Sequence, residues 1–468
     1  MTGPSRPADS RAGLAMFHAP ASVAVVGASA NPAKWGYWLA RGALAGRDRR
    51  AVYLVNRRGG EILGVPAATA LSDLAHVPEL VAFCVPPGQV RAMVGEALAL
   101  GVRGLLGITA DVPGTAELAA RVAAGGARLI GPASLGLFDA ATSLHLAWGN
   151  FMPGALAIVS QSGQLGSEIA LLAERAGVGI SRFVSVGSQL DVTAADLLSD
   201  LAGHELTRAV AVYLESFDDG RRIFDAARTL RAAGKPVVLL AAGGSEAGRR
   251  AARSHTGAMT SPLELVDAAC RAAGTLRAQT PAQLAHIVAY LLAVRPPAGP
   301  RVAIVSDSGG QGALAADCVS RRGLAVPELT AVVPALASRL PDGAATANPV
   351  DLAGAGERDL GSYRDVTATL LASGEVDSVL LSGYFGRYGL DNPALAEAEK
   401  AVAEQIGGLV RETGRPLVVH SMGAGSVAGA ALRDAGIPVY ATVEAAADAL
   451  SGAVALRDCP GRPPATVA

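Results

Sequence analysis

The chain has 468 residues, half of them hydrophobic and only 17% charged, with a formal net charge of −1. That length suits about three domains of ordinary size. The near-neutral balance excludes a polyanion-binding surface or a disordered acidic tail, so no nucleic-acid partner is expected. Cys84, Cys270, Cys318 and Cys459 are scattered without a CxxC pair, which argues against a disulfide framework and a structural zinc site. No apolar stretch reaches the roughly eighteen residues of a membrane span, and the polar start Met1-Thr2-Gly3-Pro4-Ser5-Arg6 lacks an apolar signal core. The expectation is a cytoplasmic protein with no membrane partner and no metal in this chain.

Short Val/Ile/Leu runs alternate with Ala/Leu/Glu/Arg stretches and glycine-rich turns, the pattern of βαβ units and parallel sheets. A first block, residues 1–150, predicts strands at Val23–Val26, Ala51–Val55, Leu80–Val85, Gly104–Ile108 and Arg128–Ile130, in a Rossmann-like domain. Its first strand runs into Gly27-Ala28-Ser29-Ala30-Asn31-Pro32-Ala33-Lys34. A glycine turn before a helix offers N–H groups and a partial positive charge to a phosphate. The spacing is not GxGxxG, however, so the usual dinucleotide fingerprint is absent. The second strand ends in Asn56-Arg57-Arg58, where an NAD enzyme places an acid. Arginine there suits a ribose phosphate, as in NADP or in the 3′-phosphate of coenzyme A. Val85-Pro86-Pro87 makes an extended rim after the third strand.

A second block, residues 151–298, predicts strands near 155–159, 181–186, 209–214 and 237–240. Its first strand-to-helix junction is Ser160-Gln161-Ser162-Gly163, where Ser162 and Gly163 would present free N–H groups at the carboxyl edge of the sheet. The strand Ala209–Leu214 ends at Glu215. Further on, Arg253-Ser254-His255-Thr256-Gly257 sets a histidine among small, loop-forming residues, and Pro262 is expected at the first position of the helix that follows. Groups just past parallel strands converge at one sheet edge. Glu215 and the His255 loop are therefore predicted to meet, the carboxylate fixing the tautomer and leaving the other ring nitrogen free as a nucleophile. A phosphoryl group on His255 would need donors such as those of Ser162 and Gly163.

Pro296-Pro297-Ala298-Gly299-Pro300 is the clearest linker. The third block, residues 299–468, echoes the second: a strand, then Ser306-Asp307-Ser308-Gly309-Gly310-Gln311-Gly312. The fold class expected is α/β, with a Rossmann-like domain followed by two tandem flavodoxin-like doubly wound domains.

These motifs, taken in order with Gly59-Gly60-Glu61-Ile62-Leu63-Gly64, Leu214-Glu215-Ser216-Phe217, Ser254-His255-Thr256-Gly257 and Asn348-Pro349-Val350-Asp351-Leu352, resemble the α subunit of NDP-forming acyl-CoA synthetases. Within that family the likeness is to ADP-forming acetyl-CoA synthetase, and more distantly to succinyl-CoA synthetase. The resemblance implies an ATP-dependent, ADP-forming carboxylate–CoA ligase that works through an acyl phosphate and a phosphohistidine. It implies His255 as the phosphorylated nucleophile, Glu215 as the residue orienting it, and Ser162 and Gly163 as the phosphate-holding terminus. Gly27, Ser29, Lys34, Asn56, Arg57 and Pro86 fall where the family wraps coenzyme A. ATP, ADP and Mg²⁺ are implied on a separate ATP-grasp β subunit in an α2β2 assembly, with a small carboxylic acid and CoA as substrates.

Four places depart from the family pattern. Gly131-Pro132-Ala133-Ser134 stands for Gly-Pro-Asn-Cys, Gly187-Ser188-Gln189-Leu190-Asp191 for Gly-Asn-x-x-Asp, Ile108-Thr109-Ala110-Asp111 for a Gly-Phe-x-Glu turn, and Asp307 for Asn. They point to a reshaped acyl pocket or to an altered half-reaction. Two other readings remain at the level of sequence: a non-catalytic acyl-CoA-binding regulatory protein, and an NADP-dependent oxidoreductase.

Overall fold

A computed structural model describes residues 13–256 and 261–458, with the backbone alone for 252–256 and 458. It contains three mostly parallel sheets with helices between successive strands. The first two fall in one compact unit, and the third, from Ala282 onward, in another.

The first sheet has spatial order Glu61–Ile62, Val65–Ala68, Ala51–Val55, Ser22–Val26, Leu80–Phe83, Gly104–Gly107, Arg128–Ile130. Counting its parallel strands along the chain, this is 3-2-1-4-5-6, the doubly wound order of a dinucleotide-binding fold. Val23, Ala24 and Val25 are fully buried, as expected for a strand covered by helices on both faces. The switch point, where the order reverses, lies between Ser22–Val26 and Leu80–Phe83, paired Val26 to Phe83.

The second sheet sets Leu276–Ala278, Val237–Ala241, Ala209–Leu214, Pro153–Ser160 and Ile180–Ser185 side by side in parallel. In chain order that is 2-1-3-4-5 read from the far side, the flavodoxin-like arrangement. An antiparallel hairpin, Gly136–Asp139 with Leu144–Ala147, extends it, pairing Phe138 with Phe183. The chain thus leaves the first sheet at Ile130 and joins the second before its own first parallel strand. The alternation of buried Leu144 and Leu146 around His145 is the period-2 signal of a strand, too short to stand out in the sequence.

The third sheet orders Val350–Asp351, Val302–Ser306, Ser378–Gly383, Leu417–Ser421 and Val439–Tyr440, all parallel and again 2-1-3-4-5. Among the described residues no helix is long and apolar enough to cross a membrane.

Candidate active site

The strand Pro153–Ser160 and the strand Ala209–Leu214 are neighbours, Ser160 paired with Tyr213, although they are first and third among the parallel strands of their sheet. The turns that leave them therefore open the crevice where open α/β sheets bind ligands. After the first strand comes the helix Gly163–Arg175. Gly163 and Gly166 let this helix seat closely. A Cβ on Gly163 would lie 2.4 Å from Leu135 Cβ, and one on Gly166 would lie 2.8 Å from Ser160 Cβ. After the second strand comes Glu215, 7% exposed. Its backbone N–H donates to Gln161 Oε1 at 2.9 Å and its carboxylate accepts from the Tyr213 hydroxyl at 3.3 Å. Burial, with the Glu215 charge beside it, pushes the Tyr213 phenol well above its usual range, so it stays a donor. Ser162, Gly163 and Glu215 all line one cleft of about 840 Å³, a size typical of small-molecule sites.

The segment predicted as the His255 loop is helical: Glu246–Thr256 forms one helix. Ser245 caps it, its Oγ accepting from Gly248 N at 3.0 Å, and Glu246 pairs with Arg250 at 3.0 Å. Alanine and arginine, both strong helix formers, carry the helix past residues whose composition reads as loop. The His255 side chain lies outside the described residues. The following helix begins at Leu263 with Pro262 as its cap, one residue later than expected.

The six residues assigned to coenzyme A gather at the carboxyl edge of the first sheet and do not line the 840 Å³ cleft. Gly27, at φ +90°, donates to Val55 O at 3.0 Å, and any Cβ there would meet Cys84 O at 2.8 Å. Asn56 clamps two turns, donating from Nδ2 to Ala28 O at 2.7 Å and accepting from Arg58 N at 2.9 Å. Its side chain holds the glycine turn in place. Ser29 Oγ accepts from Asn31 N at 3.1 Å. Lys34 stands at the N-cap position of the helix Trp35–Ala45 without a side-chain capping bond, and Lys34, Arg57 and Pro86 are exposed along the rim. Burial pushes the Cys84 thiol beneath this turn up to about 12, so it is not a nucleophile at neutral pH.

Three of the four departures from the family pattern form one interlocked wall of the cleft. Ala133 N donates to Thr109 O at 2.9 Å, and Ser188 N donates to Pro132 O at 2.9 Å. Ser134, in place of a cysteine, is consumed structurally, with Oγ donating to Ser185 O and accepting from Gly136 N. Asp191 ties the same region to the first sheet, accepting from Leu129 N at 2.8 Å and pairing with Arg128 at 2.9 Å. Asp307, in the third sheet's unit, accepts from Gly354 N at 2.7 Å, Glu357 N at 3.2 Å and the Tyr388 hydroxyl at 2.7 Å.

Gln161, inside the Ser160-Gln161-Ser162-Gly163 junction, and the indole cluster of Trp35, Trp148 and Trp38 have roles that the sequence pattern does not signal. Of the other histidines, His145 packs between Phe138 and Phe151, and His420 Nδ1 lies 2.9 Å from Ser382 Oγ. His18 and His204 each face a carboxylate, Asp200 and Asp139, at 3.5 Å.

Residues 21–139 match the family described as CoA binding domain, and residues 153–291 the succinyl-CoA ligase like flavodoxin domain. A CoA-binding module joined to a ligase module with a helix terminus at its switch point defines the class, that of CoA-thioester ligases. The chain is 35% identical to the α subunit of acetate–CoA ligase [ADP-forming] II of Pyrococcus furiosus, over 72% of this chain and 76% of that one. It is 32% identical to the α subunit of isoform I from the same organism, over 93% and 96%. Its fold matches a solved structure of Candidatus Korarchaeum cryptofilum dinucleotide-forming acetyl-coenzyme A synthetase 1 in complex with phosphate and ADP, with TM-score 0.82, 26% identity and coverage of 95% and 97%. The chain belongs to the family of ADP-forming acetate–CoA ligase α subunits. That membership sets aside the oxidoreductase reading.

Proposed function

We propose that this chain is the CoA-binding, phosphohistidine-carrying subunit of an ADP-forming carboxylate–CoA ligase. The observation that carries the reading is the meeting of Glu215 with the Ser162–Gly163 helix terminus in one cleft at the switch point of the second sheet. In the synthetic direction the His255 imidazole attacks the terminal phosphorus of ATP and ADP leaves. The substrate carboxylate then attacks that phosphorus, the P–N bond breaks, and an acyl phosphate forms. The thiolate of CoA attacks the acyl carbon and inorganic phosphate departs.

Each residue has a physical task. Glu215 accepts the imidazole N–H, so the opposite nitrogen keeps its lone pair. The N–H groups at Ser162 and Gly163 face the dianionic phosphoryl group, where the helix dipole also favours negative charge. Gly27, Ser29, Lys34, Arg57 and Pro86 border the CoA path, and Asn56 positions the turn. The reading includes a separate ATP-grasp β subunit that holds ATP, ADP and Mg²⁺ in an α2β2 assembly in the cytoplasm. It also includes three domains, residues 1–150, 151–298 and 299–468, with the 136–147 hairpin reaching across from the first into the sheet of the second.

The test is incubation of the full chain and its β subunit with γ-labelled ATP, followed by separation of the two chains. An acid-labile, base-stable label on this chain is expected, and His255→Asn should abolish it. A label that persists in that variant overturns the site assignment. A chain that binds CoA by calorimetry and is never labelled would instead be a regulatory acyl-CoA-binding protein.

A further inference from the structure

Resting on the ligase reading, we propose that Tyr213 is a positioning residue for phosphoryl transfer. Its hydroxyl binds one carboxylate oxygen of Glu215, assigns the other to the His255 imidazole, and limits how tightly that carboxylate holds a protonated ring. The argument starts in the strand Ala209–Leu214, which reads Ala-Val-Ala-Val-Tyr-Leu. Tyr213 is its single polar side chain, set between Ser160 and Leu240 of the neighbouring strands. Residues two apart on a strand project to the same face, and Glu215 follows directly on the strand end. Tyr213 is 8% exposed and is not among the residues lining the cleft. It therefore acts through Glu215 and not on a substrate. A buried phenol hydroxyl needs an acceptor, and this one donates to Glu215 Oε1 at 3.3 Å.

The backbone on either side is already pinned. Gln161 N donates to Tyr213 O at 3.0 Å, and Glu215 N donates to Gln161 Oε1 at 2.9 Å. What remains free is the glutamate side chain, whose torsions each have several staggered wells. The Tyr213 hydroxyl, carried on a rigid ring in the sheet, selects among them. The carboxylate is thereby aimed before the imidazole arrives.

Charge gives the contact a second effect. Burial, with the Glu215 charge beside it, pushes the phenol well above its usual range, so it remains a donor at neutral pH. A hydrogen bond to an ionised oxygen draws charge from it. The carboxylate then attracts an imidazolium less, and a larger share of the ring stays neutral with its lone pair available. As that nitrogen bonds to phosphorus, the bond from phosphorus to the leaving ADP oxygen breaks. The ring proton stays on the nitrogen facing Glu215, and the phenol keeps its own. The other described charges near this edge are the same in every variant below. Asp111, Asp218 and Asp219 line the cleft, and Asp219 pairs with Arg222 at 2.6 Å. On the helix Glu246–Thr256, Glu246 pairs with Arg250 at 3.0 Å and Arg249 donates to Gly243 O at 3.4 Å.

The experiment uses the full chain with its β subunit and a cycle of Tyr213→Phe, Glu215→Gln and the double variant. Labelling by γ-labelled ATP is followed against pH. In Tyr213→Phe the acid limb is expected to move up by about half a pH unit, slowing labelling about threefold on that side. The KM for ATP and the affinity for CoA should stay within about twofold of the parent, since neither ligand touches Tyr213. In the Glu215→Gln background, Tyr213→Phe should change nothing further. Histidine titration by ¹⁵N NMR, with the His255 signal identified by its loss in His255→Asn, should show the same upward shift. Site-specific 3-fluorotyrosine at position 213, a stronger donor of the same shape, should move both readouts downward, and it replaces Tyr213→Phe if that variant does not fold. An unmoved limb and titration, or an equal shift in the Glu215→Gln background, overturns the proposal while the label stands. A Glu215→Gln chain that labels as the parent does overturns it as well. If the parent is never labelled, the ligase reading falls, and the titration still decides: a His255 signal unmoved by either change at position 213 overturns this inference too.

Discussion

The side-chain oxygen of Gln161 accepts from the backbone N–H groups of both Glu215, at 2.9 Å, and Ser216, at 3.4 Å. One carboxamide therefore ties the turn that begins the helix Gly163–Arg175 to the turn that presents the Glu215 carboxylate, across the crevice between two strands far apart in sequence. Gln161→Leu removes the acceptor from two donors in a buried turn. Stability should fall by about 1–3 kcal/mol in urea denaturation. Gln161→Glu keeps an acceptor but adds negative charge beside the Ser162–Gly163 turn, where the proposed function sets the phosphoryl group. Its stability should stay within about 1 kcal/mol of the parent while the labelling rate drops about tenfold or more. Parallel losses in both variants and both readouts would reduce Gln161 to a structural brace.

Gly163 stands where the helix meets Leu135, the residue that leads into the 136–147 hairpin. Because the nearest atom to an added Cβ is Leu135 Cβ at 2.4 Å, ahead of Cδ1 at 3.0 Å, Gly163→Ala overpacks the junction and should destabilise by about 1–3 kcal/mol. Adding Leu135→Ala retains the offending atom and should bring little relief, whereas Leu135→Gly should recover part of the loss in a double-mutant cycle. Equal recovery by both would show that the side-chain tip, not the Cβ, sets the spacing.

Asp139, 1% exposed, is held by Arg182 Nε at 2.7 Å, and Arg182 also reaches Asp200 at 2.6 Å. Burial alone would raise the Asp139 carboxyl. The groups of His204 and Arg182 outweigh it and hold the acid down to about 2, below the ordinary 3.8. His204 Nε2 is 3.5 Å away, too long for a good hydrogen bond, so Arg182 is the stronger tether. A folded-state value below the unfolded one means the contribution, about 2 kcal/mol, is fully present above pH 4 and is lost as pH falls through 2. Urea midpoints measured from pH 7 to 2 should show that slope. Asp139→Asn should flatten it and, by leaving Arg182 buried with less charge compensation, lower stability at pH 7 by about 3–5 kcal/mol.

Asp307 illustrates acceptor counting. Two carboxylate oxygens serve Gly354 N, Glu357 N and the Tyr388 hydroxyl, three donors on an acceptor-only group. Asn at this position has one oxygen and would turn an NH₂ toward a backbone N–H. Asp307→Asn, the family's usual residue, is therefore expected to destabilise this chain by about 1–3 kcal/mol, read by thermal or urea unfolding. A neutral result would mean that the helix Ala355–Arg358 finds another cap.

The pattern of strands is legible in the sequence, because a strand covered on both faces must be apolar throughout and a βα turn needs small residues. Val23–Val26, Ala209–Leu214 and Val237–Leu240 satisfy that requirement locally. The hairpin at 136–147 is hard to read from sequence because its signal is only four residues per strand and its partner, Ile180–Ser185, lies some distance along the chain. Ser254-His255-Thr256-Gly257 has loop composition, yet the helix Glu246–Thr256 runs into it, because that helix is set by a cap nine residues upstream or more, at Ser245.

What the order of residues alone determined is the class of fold, the family, and which side chains are chemically able to carry a phosphoryl group. These follow from periodicity, turn chemistry and short motifs, all of which act over a few neighbouring residues. Only the tertiary structure decided that Gln161 braces Glu215, that Asn56 is occupied in holding a turn, and that Thr109, Ala133 and Ser188 share one wall. Those relationships depend on which strands become neighbours at the switch points. Spatial order there departs from chain order, so residues 54 and 55 positions apart come within a hydrogen bond of each other.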